Sequence, residues 1–311
     1  MSVSPSGGDA VLAAKRGLYI INLDNPFEPP RVIQHLTKWE VSDVQWNPHK
    51  ARENLIATTS NQKALVWTLT PSSSDSSASK HILHILHAHQ RAVSDLNWSP
   101  FHPDILATCS YDTYVHMWDL RASPVKPANS FCAWTAGATQ VKFNKISEWL
   151  LASSHDTDVR IWDIRKGSTP VTLITAHMTK IYGIDWSRTN ENEMITCSQD
   201  RLVKFWDITQ PRTCQATIVT SSPVWRARFT PFGNGVMTMP QRRENNLVLW
   251  SCDDLTTPVY SFSGHVDVPR EFVWRIRGGE SDAVGMFFIV LLMNKMRKSG
   301  IVILMGDSPF Y

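Results

Sequence analysis

Apolar positions along this chain recur with a period of two, in runs of about six residues, which is the spacing of strands rather than helices. VSDVQW (41–46) alternates. LIATTS (55–60) and KALVWTL (63–69) are short apolar runs rich in β-formers, and NPHKAREN (47–54) between them is polar and turn-like. No segment of these runs carries the i, i+3, i+4 stripe of an amphipathic helix, so the pattern predicts an all-β chain of short strands and tight turns.

The pattern is itself repeated. HQRAVSDLNWS, DILATCSYD and TYVHMWD fill 89–119, and HMTKIYGIDWS, EMITCSQD and RLVKFWD fill 177–207. In both copies a His precedes an Asp by 23 residues, His89 to Asp112 and His177 to Asp200, and a Trp follows that Asp, at Trp118 and Trp206. A third copy, 131–163, keeps Asp156 and Trp162 but places Ala133 where the His is expected. Unit one (35–69) has Lys38 and Asn61 in the His and Asp places. Unit five (222–250) lacks both and inserts PQRRENN (240–246) in its hairpin. Trp67, Trp118, Trp162, Trp206 and Trp250 mark the series, at intervals of 51, 44, 44 and 44 residues. The longer first interval is explained by a serine-rich loop, TPSSSDSSASK (70–80).

A four-stranded unit of this length cannot bury both its faces alone and must stack on copies of itself, so the spacing predicts β-propeller blades of the WD-repeat kind. Five units read as complete blades. The piece at 10–23 reads as the second half of a blade, and 262–276 as a first half. Two assemblies fit: the halves join to close a six-bladed ring, or an incomplete seven-bladed ring remains. Residues 1–9 are expected to be disordered, 10–276 to form the propeller, and 277–311 to be a divergent tail outside the repeat. Ala283–Met293 is an apolar run too short to span a bilayer, which takes about 20 residues.

His, Asp and Trp at these places predict a structural clasp. The Asp accepts from the imidazole, and the ring continues to a Ser or Thr hydroxyl (Thr108 or Ser110; Thr196 or Ser198) and to the indole. The clasp set is His89, Asp112, Trp118, His177, Asp200, Trp206, Asp156 and Trp162. Its recurrence argues against catalysis, because an active site is seldom built twice in one chain. No catalytic set stands outside the repeated positions, so the chain reads as not an enzyme, with no cofactor and no metal. Five cysteines without a CxxC pair give neither a zinc site nor a disulfide scaffold. A formal charge of +3 is too weak a bias for nucleic acid, whose binding needs a concentrated basic patch. The polar hairpin insertion, with Arg242, Arg243 and Glu244, is the candidate interaction loop, alongside 70–80.

Between the generic spacings lie more specific segments: GLYIINLDNPFEPPRVI (17–33), AGATQVKFN (136–144), SQDRLVKFWDITQPR (198–212) and PVWRARFTPFGNGVMTMPQRRENNLVLW (223–250). On these the chain resembles, over about 17–275, the N-terminal propeller of the WD repeat-containing protein fifty-nine family. These are subunits of the second GATOR complex, the SEA complex in fungi. The resemblance implies a non-enzymatic scaffold that docks other GATOR/SEA subunits and promotes amino-acid signalling to TOR complex one. It implies a cytoplasmic protein held at the lysosomal or vacuolar membrane through its complex, without stable transmembrane insertion. It fails at both ends. Family members continue into an RWD-type domain, a helical region and a zinc domain, whereas here the pattern breaks after Trp274. An altered transcript or gene model would explain the break, and would leave a docking surface with impaired complex assembly.

Overall fold

Residues with left-handed backbone sit in the hairpins between the middle strands. Asn61 (φ 51°) and Asp156 (φ 52°) open two-residue turns, and Thr113 (φ 77°) and Arg201 (φ 68°) close three-residue ones. Asn and Asp adopt this conformation at low cost because their short side chains bond to the local backbone. Thr and Arg lack that relief. In the longer turn the third residue is left-handed, and in the first copy its N–H, on Thr113, donates to the Ser110 carbonyl at 3.3 Å.

The computed structural model describes residues 1–14, 17–34, 39–70, 81–122, 126–241, 244–263, 268–275, 287–293 and 299–304. Among these, antiparallel pairing builds seven sheets, six of four strands and one of three, with strands paired in chain order. The first holds Ser2–Val3, Asp9–Ala14, Gly17–Asn22 and Arg31–Gln34; the second, Val44–Trp46, Leu55–Ser60, Lys63–Thr68 and Ile82–His87. The third holds Val93–Trp98, Ile105–Ser110, Tyr114–Asp119 and Asn129–Cys132; the fourth, Ala138–Phe143, Leu150–His155, Asp158–Asp163 and Thr172–Thr175. The fifth holds Ile181–Trp186, Glu193–Ser198, Leu202–Asp207 and Cys214–Val219; the sixth, Val224–Phe229, Gly235–Pro240, Leu247–Ser251 and Pro258–Phe262. Pro269–Arg275, Phe287–Met293 and Ser299–Leu304 form the seventh. Lys50–Arg52, one 3-10 turn, is the single helical element among the described residues.

This corrects the expectation of five whole blades and two halves. At the front, Ser2–Val3 pairs with Ala10–Val11, and Gly7 (φ 73°) turns the chain so that its N–H donates to the Ser4 carbonyl. The Ser2 hydroxyl accepts from the Trp46 N–H at 2.9 Å. Residues 1–9, expected to be disordered, thus supply one edge strand of a full sheet, Ser2–Val3. Arg31–Gln34 supplies the opposite edge strand. At the other end, Phe288 lies opposite both Trp274 and Leu304, which brings the tail into the seventh sheet instead of leaving it outside. The reason is that a strand ladder needs only backbone donors and acceptors. An apolar run with no repeat motif can still cover the open edge of Pro269–Arg275.

The chain divides into two compact units, Met1–Phe143 with Trp162–Thr169, and Asn144–Ile161 with Pro170–Tyr311. In the first, Val11, Leu18 and Ile33 meet Val44, Trp46 and Trp67, while Leu55, Ala57 and Val66 meet Leu96, Leu106 and Trp118. In the second, Ile161, Ile174, Ile184 and Trp186 cluster with Met194 and Trp206, and Ile195, Val203 and Phe205 with Phe229 and Trp250. Each core thus lies between successive sheets, the stacking that repeat units require. A buried Trp removes roughly 200 Å² from water, which contributes up to about 5 kcal/mol. The marker tryptophans are therefore the main packing side chains of the repeats.

Candidate functional site: a recurrent His–Asp–Thr–Trp set

The three-residue turn Gln199–Arg201 lifts the Asp200 carboxylate to the level of the loop before Ile181–Trp186, where His177 sits. Their separation, Nδ1 to Oδ2, is 2.8 Å. On the far side of the ring, Nε2 lies 2.7 Å from the Thr196 hydroxyl, and the same hydroxyl accepts from Trp206 Nε1 at 2.9 Å. The other copy repeats the arrangement. His89 Nδ1 is 3.0 Å from Asp112 Oδ2, His89 Nε2 is 2.9 Å from Thr108 Oγ1, and Trp118 Nε1 is 2.9 Å from that oxygen. Of the two candidate hydroxyls in each copy, the network uses Thr108 and Thr196. Ser110 instead donates to the Arg91 carbonyl, and Ser198 to the Lys180 carbonyl. Alternation puts both candidates of each pair on one face, so depth along the strand decides: Thr108 and Thr196 lie two residues back from the hairpin, within reach of the indole.

The proton positions follow from what each group can do. An indole N–H only donates, so the Thr oxygen accepts it. A carboxylate only accepts, so imidazole Nδ1 carries a proton. In a neutral ring Nε2 is then bare and accepts the Thr hydroxyl proton. Every member is satisfied in one polarised chain, indole to hydroxyl to imidazole to carboxylate. Burial lowers the pKa of His177 against the opposing pull of Asp200, consistent with a neutral ring. Burial pushes Asp112 up, but its bonds from His89 and from the Tyr114 and Gln90 N–H groups outweigh that and hold it at about 2. Beside this set, His116 packs against His89 with centroids 4.3 Å apart and ring planes tilted by 36°, and burial brings its pKa down to about 4.

The third copy is built differently. Its turn is one residue shorter, so Asp156 stands at the tip with its side chain exposed and does not take the place of Asp112. Counting back through the shorter turn puts Ser153 at the threonine place. Ser153 Oγ lies 2.8 Å from Nε2 of His155, on the same face of the same strand. Here the strand itself supplies the imidazole that Ala133 cannot. Trp162 is fully buried against Phe131, centroids 5.2 Å apart.

Two members escaped the sequence reading. Thr58 accepts from Trp67 Nε1 at 2.8 Å, and Thr238 from Trp250 Nε1 at 3.0 Å, in repeats that lack the Asp. The available signal was a Thr on the strand preceding each marker Trp, at a distance set by turn length. In the candidate interaction loop, Arg242 and Arg243 lie outside the described residues, as do 71–80, Lys38 and His265. Glu244 is turned back onto its own sheet, accepting from the Ser221 and Ser222 hydroxyls at 3.0 and 3.3 Å. Among the described residues no His, Cys, Asp and Glu group could hold a metal ion, and no helix is long and apolar enough to cross a membrane.

A family model for the WD domain, G-beta repeat, matches residues 80–119, 125–163 and 168–207. The Saccharomyces cerevisiae protein named Maintenance of telomere capping protein 5 is 46% identical across 89% of this chain and 25% of its own length. Human GATOR2 complex protein WDR59 is 47% identical across 88% of this chain and 28% of its own. The chain thus spans about a quarter of the length of the curated relatives it matches. Among solved structures, a chain of the crystal structure titled Mitotic Checkpoint Complex superposes with a TM-score of 0.73 at 19% identity, over 86% of this chain and 78% of that one, a likeness of fold alone. Repeat spacing, the chain-order pairing of strands within each sheet, and these identities agree: the chain belongs to the WD-repeat β-propeller family and is homologous to the N-terminal part of the WDR59-type subunits of the GATOR2 and SEA complexes.

Proposed function

We propose that this chain is a non-enzymatic protein-interaction scaffold of a GATOR/SEA complex, acting in amino-acid signalling to TOR complex one. The observation that carries the reading is that the two complete His–Asp–Thr–Trp sets are consumed by one another. Each polar atom that could do chemistry has a partner inside its own repeat. A stiff framework of this kind displays loops for recognition by many shallow contacts. The partners are other subunits of the complex, and neither nucleic acid nor a cofactor enters the reading. The protein is cytoplasmic and meets the lysosomal or vacuolar surface through that assembly. Surface loops form the docking face, and the clasps hold those loops in register.

The experiment is reciprocal precipitation of the tagged chain with the remaining GATOR/SEA subunits, in cells lacking the endogenous WDR59-type subunit. Recovery of at least one subunit, lost when the third and fifth sheets are destabilised together by Thr108→Val and Thr196→Val, is expected. A folded chain that recovers none of them refutes the assignment to the complex.

A further inference from the structure

Trp134 has a backbone and an exposure that packing does not explain. Its φ is +62°, and the Thr135 N–H donates to the Ala133 carbonyl at 2.7 Å. A bond from residue i+2 to residue i across a left-handed residue is a γ-turn of the rare, strained kind. Bulky residues seldom occupy it. The indole it carries is 81% exposed. A core would not require this conformation, and a loop free to relax would abandon it. The loop is not free. The Ala133 N–H donates to the Thr113 carbonyl, and Gly137 approaches Tyr111 so closely that a Cβ there would lie 2.8 Å from the Tyr111 Cα. The start of the γ-turn and the chain two residues past its end are therefore held against the hairpin that contains Asp112, which maintains the strain.

The surroundings have a definite chemistry. On one side of the Tyr111–Thr113 turn stands Trp134. On the other, the Arg91 guanidinium reaches the Tyr111 carbonyl at 3.5 Å. Tyr111 itself is 44% exposed. The turn's own carboxylate, Asp112, faces inward onto His89 and the Gln90 N–H, so it does not neutralise Arg91. Gln62, bonded to the Gln90 carbonyl, brings the exposed Lys63 to the same end of the neighbouring repeat. Arg91 and Lys63 thus lie in adjoining turns with two exposed aromatic residues, Tyr111 and Trp134, while the carboxylate of that hairpin, Asp112, is turned inward. Trp39, 59% exposed, occupies the repeat position equivalent to Trp134.

We propose that Trp134 is the anchor of a docking surface, with Tyr111 and Arg91, for a protein segment that carries an apolar side chain beside acidic ones. Rigidly held Trp, Tyr and Arg side chains are the types that dominate interface energy, because they lose little entropy on binding. Charge complementarity selects an acidic segment, and the apolar ring pair selects its apolar neighbour. This deepens the scaffold reading and rests on it, and it names where the scaffold binds.

The test uses the full chain and a random peptide library displayed on phage. Enrichment of peptides with Asp or Glu flanking an aromatic or aliphatic residue is expected. Synthetic copies of the enriched peptides, followed by fluorescence anisotropy, are expected to bind Trp134→Ala about 30-fold more weakly. Arg91→Glu is expected to shift the preference toward basic peptides. Trp134→Gly separates strain from contact, since glycine accepts the positive φ: it should match or raise the wild-type melting temperature while losing the peptide. Absence of acidic–apolar enrichment, or equal affinity for the wild type and Trp134→Ala, overturns the proposal. So does Trp134-dependent binding to phosphatidylserine vesicles without any peptide selection, which would make the surface a membrane contact. Peptide selection needs no other subunit, so failed co-precipitation with successful selection would sink only the assignment to the complex.

Discussion

Thr196→Val is the sharpest probe of the clasp. Valine matches threonine in shape, and the site is fully buried, so packing is kept and one hydroxyl is removed. That hydroxyl serves two groups. Trp206 Nε1 loses its acceptor at 2.9 Å, and His177 Nε2 loses its donor at 2.7 Å. Each orphaned buried group costs about 1–3 kcal/mol. The expected loss is therefore about 4 kcal/mol, a large share of the stability of an ordinary domain. At roughly 2 °C per kcal/mol for a chain of this size, the melting temperature should fall by about 6–8 °C in differential scanning calorimetry. Thr196→Ser keeps the hydroxyl and should recover most of that loss. The same change in a Trp206→Phe background should cost about 1–3 kcal/mol less, because no indole N–H remains to be orphaned. A fall of under about 1 °C for Thr196→Val, or full additivity with Trp206→Phe, would show that the hydroxyl is not the centre of the network.

Three further outcomes follow from the geometry. Arg201→Gly should raise the melting temperature by about 1–2 °C, since glycine meets φ 68° without the side-chain penalty; calorimetry showing a decrease would contradict the strained turn. Gly183→Ala should lower stability by about 1–3 kcal/mol in urea unfolding, because the new Cβ would lie 2.7 Å from Cys197 Sγ and 3.5 Å from the Arg226 Cα, and an unchanged midpoint would show that the close approach is not there. His116 is held neutral by burial, with its pKa down at about 4, so the unfolded chain binds more protons between that value and the ordinary histidine range. The stability it contributes is fully present above about pH 6.5 and is lost as pH falls toward 4. His116→Gln should flatten this part of the pH–melting curve, and a wild-type curve already flat there would refute the assignment. Asp112 acts lower on the scale: its depressed pKa contributes stability above the ordinary carboxylate value that disappears toward pH 2.

What the sequence alone determined was whatever depends on local spacing. Period-two apolarity specified strands, and the intervals between tryptophans specified stacked units. The 23-residue separation of His89 from Asp112 and of His177 from Asp200 specified which side chains would meet. These are readable because each blade is a nearly local structure, whose partners lie within one repeat length. The tertiary structure decided what depends on where distant or motif-free segments go. Whether Thr108 or Ser110 joins the network is set by depth along the strand, since both lie on one face and only Thr108 is level with the Trp118 indole and the His89 ring. A turn one residue shorter moved Asp156 out of the network and let His155 reach Ser153. Ser2–Val3 and Phe287–Met293 carry no repeat signature, yet both complete sheets, because a backbone ladder accepts any extended segment that brings donors and acceptors to its edge. The strained placement of Trp134 was likewise invisible in the chain, since it arises from two clamps onto a hairpin some 20 residues upstream, Ala133 on Thr113 and Gly137 on Tyr111.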